Sequence, residues 1–164
     1  TKLFLLCCLM LLTGTAGADD APGVTEPVEV DTWATLLKPH YFGDTPLIEG
    51  RGVIDMKTPY RSEDAAFTPV SIIAAIPQTE ARYIKDIYVF VEKNPQPLAG
   101  VFHMTPAAGR ADLALRVRVD AYTNVHAVAV LNTGELHHVS NFVKAQGGCS
   151  APAGKDLAEA LASL

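Results

Sequence analysis

The sequence predicts an all-β fold: an antiparallel β-sandwich with a short N-terminal helix and a C-terminal arm bearing one cysteine. Three observations carry this. Apolar residues alternate with period two in several segments, turn residues recur about every ten positions, and a single cysteine, Cys149, is left once an N-terminal export signal is removed. One thiol cannot staple its own chain, so burial of a core must hold the sandwich together.

Residues 1–18 read as a cleavable signal peptide. Lys2 precedes the apolar run Leu3 to Leu12, and small residues lead to Ala16-Gly17-Ala18 before the acidic pair Asp19-Asp20, which is the n-region, h-region and A-x-A order of an export signal. The basic part is short and no Met opens it, so a few residues are expected to be missing there. About ten apolar residues fall short of the roughly 20 that cross a bilayer. Cys7 and Cys8 lie inside the h-region and leave with it, and Leu6 stands where a lipoprotein signal needs a small residue. Export points to the periplasm.

From Asp19 the chain is expected to form one domain. Its formal charge of −5 becomes one unit more negative without Lys2. The charges are scattered, and no basic patch exists of the kind a nucleic-acid partner needs. Residues 19–30, rich in Pro, Gly and acidic side chains, read as a disordered leader. The sandwich domain is expected over 31–146, and the arm and linker over 147–164.

Asp31 is placed to cap a short helix that carries Trp33, Leu36 and Leu37 on one side and stops at Pro39. Those apolar residues read as core. Period two then takes over: Val70, Ile72, Ala74 and Ile76; Ile87, Val89 and Val91; Leu113, Leu115, Val117, Val119 and Ala121. Between the members of the last set lie Arg116, Arg118 and Asp120, which read as one wet strand face. Val125 to Leu131 is almost unbroken apolar and suits a central strand, which Asn132-Thr133-Gly134 turns into a partner starting near Leu136. A further strand is expected around Phe142 to Ala145. After it comes Gln146-Gly147-Gly148-Cys149-Ser150-Ala151-Pro152, and Lys155 to Leu164 has helical spacing through Leu157, Leu161 and Leu164. Ten residues make a marginal helix alone.

Several chemistries are excluded by pattern. His137 and His138 are neighbours and point to opposite faces of a strand, His40, His103 and His126 are scattered, and no second cysteine joins them, so no metal site is expected. Ser71, Ser140 and Ser150 lack a nucleophile elbow, and a thioredoxin-type exchange needs a second cysteine in C-x-x-C. No catalytic residues and no cofactor are called for. Cys149 stands out instead, because its Gly-Gly and Ser-Ala-Pro flanks offer nothing to pack in a core.

Glu49-Gly50-Arg51-Gly52-Val53-Ile54, Asn94-Pro95-Gln96-Pro97, Arg116-Val117-Arg118-Val119 and above all Lys144-Ala145-Gln146-Gly147-Gly148-Cys149 resemble the SoxY sulfur-carrier family of the periplasmic thiosulfate-oxidising system. More narrowly, Pro59 to Ala66 and Tyr122 to Ala127 are similar to SoxYZ-like carriers found beside quinoprotein alcohol dehydrogenases. The resemblance implies an immunoglobulin-like sandwich, a hinge at Gly147 and Gly148, and Cys149 as the covalent attachment point of a mobile arm. It implies partners as well: a SoxZ-like domain, fused or separate, and periplasmic redox enzymes such as c-type cytochromes or a quinoprotein dehydrogenase. Ser150 and Pro152 depart from the family's glycines. In the narrower group the carrier is fused to a SoxZ-like sandwich, so 150–164 is expected to lead into such a second half.

Physically, two glycines let the backbone before the thiol bend into a narrow site. An extended chain from Ala145 to Gly154 spans on the order of 30 Å. An ordinary thiol with a pKa near 8.5 is only a few per cent ionised at neutral pH, and Lys144 and Lys155 are distant in sequence, so partner enzymes must supply most of the reactivity. Two functions fit: a carrier of sulfur-containing groups on Cys149, or a non-catalytic binding or assembly module of a quinoprotein dehydrogenase system whose cysteine forms an intermolecular disulfide or goes unused.

Overall fold

A computed structural model of the chain describes residues 31–145. The expected signal peptide (1–18), the leader (19–30), Gly147, Gly148, Cys149 and the helically spaced tail lie outside the described residues. Among the described residues no helix is long and apolar enough to cross a membrane.

Asp31 caps the opening helical segment as expected. Its Oδ1 accepts the Ala34 N–H at 2.9 Å, and its carbonyl accepts from the Thr35 N–H at 3.0 Å. The segment does not stop at Pro39. Over Trp33–Leu37 it winds wide, the Lys38 N–H reaching back five residues to the Trp33 carbonyl, and then tightens into α1, Lys38–Phe42. Pro39 falls in the first turn of α1, where a missing N–H costs nothing. Gly43, at φ 55°, ends the helix.

Eight strands follow among the described residues: β1 Leu47–Glu49, β2 Ile54–Lys57, β3 Thr68–Ala74, β4 Ile84–Val91, β5 Leu98–His103, β6 Leu113–Val117, β7 Thr123–Leu131 and β8 Leu136–Val143. They form two sheets, ordered β1-β8-β7-β4-β5 and β2-β3-β6. Every pairing is antiparallel except β1 with β8, which is parallel. The sheets face each other across one core, to which Ile54, Ile72, Ile87, Val89, Val125 and Val143 contribute. On the other side of the larger sheet the helical segment lays Trp33 and Leu37 against Phe90, Val128 and Leu136. Strands β4 and β7 are thus covered on both faces, which is why Val125 to Leu131 is apolar without alternation.

Some expected strands have other limits. The Leu113 set leaves the ladder after Val117: the Val119 N–H turns to the Ala65 carbonyl at 2.7 Å, and the Asp120 N–H to Asn94 Oδ1 at 3.1 Å. The strand expected at Phe142 is the continuation of the one begun at Leu136, a single eight-residue β8. Strands β1 and β5 have no period-two signature of useful length, since β1 is three residues long and mostly exposed and β5 is an edge strand with little full burial, while β2 alternates over only four residues. Register at the β1–β8 junction depends on Gly50. Its N–H donates to the His138 carbonyl at 2.8 Å, and a Cβ there would stand 2.8 Å from that same oxygen.

Candidate functional site

Strand β8 ends where the cysteine-bearing segment begins, and that end is tied down. The Lys144 N–H donates to the Tyr60 carbonyl at 2.8 Å, and its own carbonyl accepts the Ser62 N–H at 3.0 Å, a short parallel bridge between Arg61 and Lys144. Ala145 is buried in the main core. The described chain therefore ends on a fixed, core-packed residue, four positions before Cys149 in sequence.

Aromatic side chains surround Lys144 at this end of the described chain. Tyr60 is 62% exposed, Phe142 42% and Tyr122 40%. The Tyr60 and Phe142 rings are 6.3 Å apart, and the Lys144 ammonium sits 5.0 Å from the Tyr60 ring centre and 6.0 Å from that of Tyr122. Phe142 faces outward because β8 alternates: Val139 and Val143 go to the core, while Ser140 and Phe142 take the other face.

Phe142 also borders a cleft of about 430 Å³ whose other lining residues include Trp33, Glu92, Asn124, His126 and Ser140. At its base is a chain of buried polar groups. Glu92 Oε2 lies 3.3 Å from His126 Nε2, and His126 Nδ1 lies 3.0 Å from His138 Nε2. The carboxylate also accepts from Asn124 Nδ2 at Oε2, 3.1 Å, and from the Trp33 N–H at Oε1, 3.2 Å. Above them the Trp33 ring stacks on both imidazoles, 4.1 Å from His126 and 4.9 Å from His138. The hydrogen bond from His126 outweighs the cost of burial and holds the Glu92 carboxyl down at about 2. Burial, with the neighbouring His126, pushes the His138 imidazole down to about 4.

The structure sorts the sequence-predicted residues into three groups. Cys149, Gly147 and Gly148 lie outside the described residues, which end at Ala145. His137 and His138 do point apart, His137 toward the interior without a hydrogen-bond partner among the described residues. His126 is not scattered: the β7–β8 hairpin pairs it with Ser140, two residues from His138, and the rings meet diagonally. The Asn132-Thr133-Gly134 turn carries that information, since folding the sequence about Thr133 brings positions 126 and 138 close. Glu92 and the part played by Trp33 had no such local signal. Among the described residues no group of three or more His, Cys, Asp or Glu side chains is arranged to hold a metal ion. Arg118, expected on a wet strand face, lies past the end of β6 and pairs with Asp120 at 2.5 Å.

Compared with known proteins, residues 38–149 match the family described as "Sulfur oxidation protein SoxY". The chain belongs to the SoxY family. The match ends on Cys149 and starts in α1, so Trp33 lies ahead of the SoxY region. Among solved structures, the sulfur carrier protein SoxY from Chlorobium limicola f. thiosulfatophilum is 27% identical, with a TM-score of 0.54 over 66% of this chain and 88% of that one. It shares the immunoglobulin-like sandwich. A superoxide reductase (neelaredoxin) from Ignicoccus hospitalis aligns at a TM-score of 0.51 and 15% identity, covering 58% of this chain and 81% of that one, which is a likeness of fold alone. No curated protein matches the sequence.

Proposed function

We propose that this SoxY-family chain is a periplasmic carrier that holds a sulfur-containing group covalently on Cys149 while partner enzymes load, oxidise and release it. The observation that carries this reading is the family match itself, which runs through the whole sandwich and ends on the one cysteine outside the export signal. Gly147 and Gly148 serve as the hinge, and the tied exit at Lys144 serves as its post. The sandwich is a platform and the chemistry belongs to the partners, a SoxZ-like companion domain and periplasmic sulfur-oxidising enzymes.

The arrangement suits this division of labour. A thiol on glycine enters a narrow cleft more easily than one on a packed element, and it loses little packing in doing so. The test is intact-mass measurement of protein purified from the native periplasm. A reducible adduct that maps to Cys149 and is not a homodimer supports the carrier; a permanently unmodified thiol in cells making the protein overturns it.

A further inference from the structure

Five large apolar or aromatic side chains stand well exposed on the described surface: Ile48, Tyr60, Phe67, Tyr122 and Phe142. Three of them, Tyr60, Tyr122 and Phe142, gather round the exit of the cysteine-bearing segment with the Lys144 ammonium among them. Clustering of that kind marks an interaction surface more often than scattered exposure does. We propose that this aromatic ring is the docking surface for the enzymes that load and unload Cys149. The proposal rests on the carrier reading given above.

The length of chain beyond the described residues decides the occupant. Beyond Ala145, which is buried in the core, four residues lead to Cys149, and they span at most about 14 Å when fully extended. An enzyme that draws Cys149 into its active site must therefore bring the mouth of that site against the post from which the arm leaves. The ring of Tyr60, Tyr122 and Phe142 is what that mouth meets. Tyrosine and phenylalanine suit such a contact, since they bury large area while ordering few rotatable bonds. Lys144, held over the Tyr60 face, adds one cation at the centre. The matching partner is an enzyme with a channel shallower than the arm is long, an apolar rim and a carboxylate set to meet that cation.

The test compares how fast adduct appears on Cys149 of newly exported protein in the native host, read by intact mass. In the Tyr60→Ser, Phe142→Ser double variant the rate falls about tenfold or more, as expected on loss of two interface anchors. Lys144→Glu falls likewise. Ile48→Ser, equally exposed but on β1 beside the far end of β8, keeps the wild-type rate. Melting curves and the rate of Cys149 alkylation by iodoacetamide stay unchanged throughout, because the altered side chains lie outside the core. Equal loading rates in wild type and double variant overturn this inference and leave the carrier reading standing. Release of a co-purifying SoxZ-like partner by the double variant, seen by native mass, also overturns it, assigning the ring to a subunit interface. An unmodified wild-type Cys149 overturns both.

Discussion

His126 and His138 meet nitrogen to nitrogen at 3.0 Å beneath the ring of Trp33, with Glu92 closing the far side of His126. Only one hydrogen fits between two nitrogens at that distance, so one ring donates and the other accepts. The carboxylate end is held ionised, because the His126 hydrogen bond lowers Glu92 to about 2. The sheet thus buries a charged group in full contact with its donors.

Acid should unfold the protein in two overlapping steps. His138 titrates at about 4 in the fold against an ordinary 6.5, so the unfolded chain binds its proton first. Stability is full above pH 6.5 and falls as the pH drops toward 4, by on the order of 3 kcal/mol for a shift of this size. Glu92 is depressed from 4.5 to about 2, so its contribution, also on the order of 3 kcal/mol, is present above pH 4.5 and is lost as the pH falls through 2. Chemical denaturation at a series of pH values checks this. His138→Gln should flatten the upper step and leave the lower; a variant as acid-sensitive as wild type between pH 6.5 and 4 contradicts the assignment.

Trp33 is the latch of the helical segment. It is nearly buried, packs edge-on against Phe90 at 5.4 Å and lies flat on both imidazoles. Trp33→Ala should cost roughly 3 kcal/mol or more, the usual range for emptying a large buried aromatic site, and Trp33→Phe distinctly less. As the single tryptophan of the chain, Trp33 also reports on its own site, and its emission should change through the same acid window as His138.

The fold was legible wherever one sheet face is wet and the other dry. Leu113 to Val117 and Val70 to Ala74 read directly as strands for this reason. The parallel pairing of β1 with β8 was hidden, because three mostly exposed residues carry no period and their register is set by the close approach of Gly50 to His138. Pro39 misled for a related reason. Its effect on a helix depends on where the hydrogen-bond ladder starts, and the change from wide to α winding moves that start to Lys38. At the site, Glu92 joined His126 only through a sheet pairing between β4 and β7, which no local pattern announces.

Gly50 should tolerate no side chain. Added to its backbone, a Cβ meets the His138 carbonyl and Val139 Cγ1, both at 2.8 Å. Gly50→Ala must push β1 away from β8, at a cost of about 1–3 kcal/mol, measurable as a lowered denaturation midpoint. Gly43 makes the useful comparison, since a Cβ there meets nothing within 4 Å and only its φ of 55° opposes substitution.

His137 and His138 are adjacent and should respond in opposite ways. Both ring nitrogens of His137 are buried without a hydrogen-bond partner among the described residues, the nearest charge being Glu135 Oε2 at 3.6 Å. An apolar group in its place removes a desolvation cost and gives up only the 3.6 Å contact to the half-exposed Glu135 carboxylate. His137→Leu should therefore be as stable as wild type or more so, while His138→Leu breaks the bond to His126 and destabilises. A marked loss of stability in His137→Leu would show that its ring is paired after all.

Cys149→Ala separates the carrier's chemistry from its fold. The core closes upstream of it, with Val143 and Ala145 as the last buried apolar residues described. Stability should stay within about 0.5 kcal/mol of wild type, as for a substitution that touches no packed site, and every mass adduct should vanish. Tyr60→Ser, Phe142→Ser with Cys149 retained gives the complementary result, an intact thiol that partners fill slowly. If Cys149→Ala instead lowers the melting temperature markedly, the thiol packs against the sandwich, and the segment beyond Lys144 is an element of the fold and no free arm.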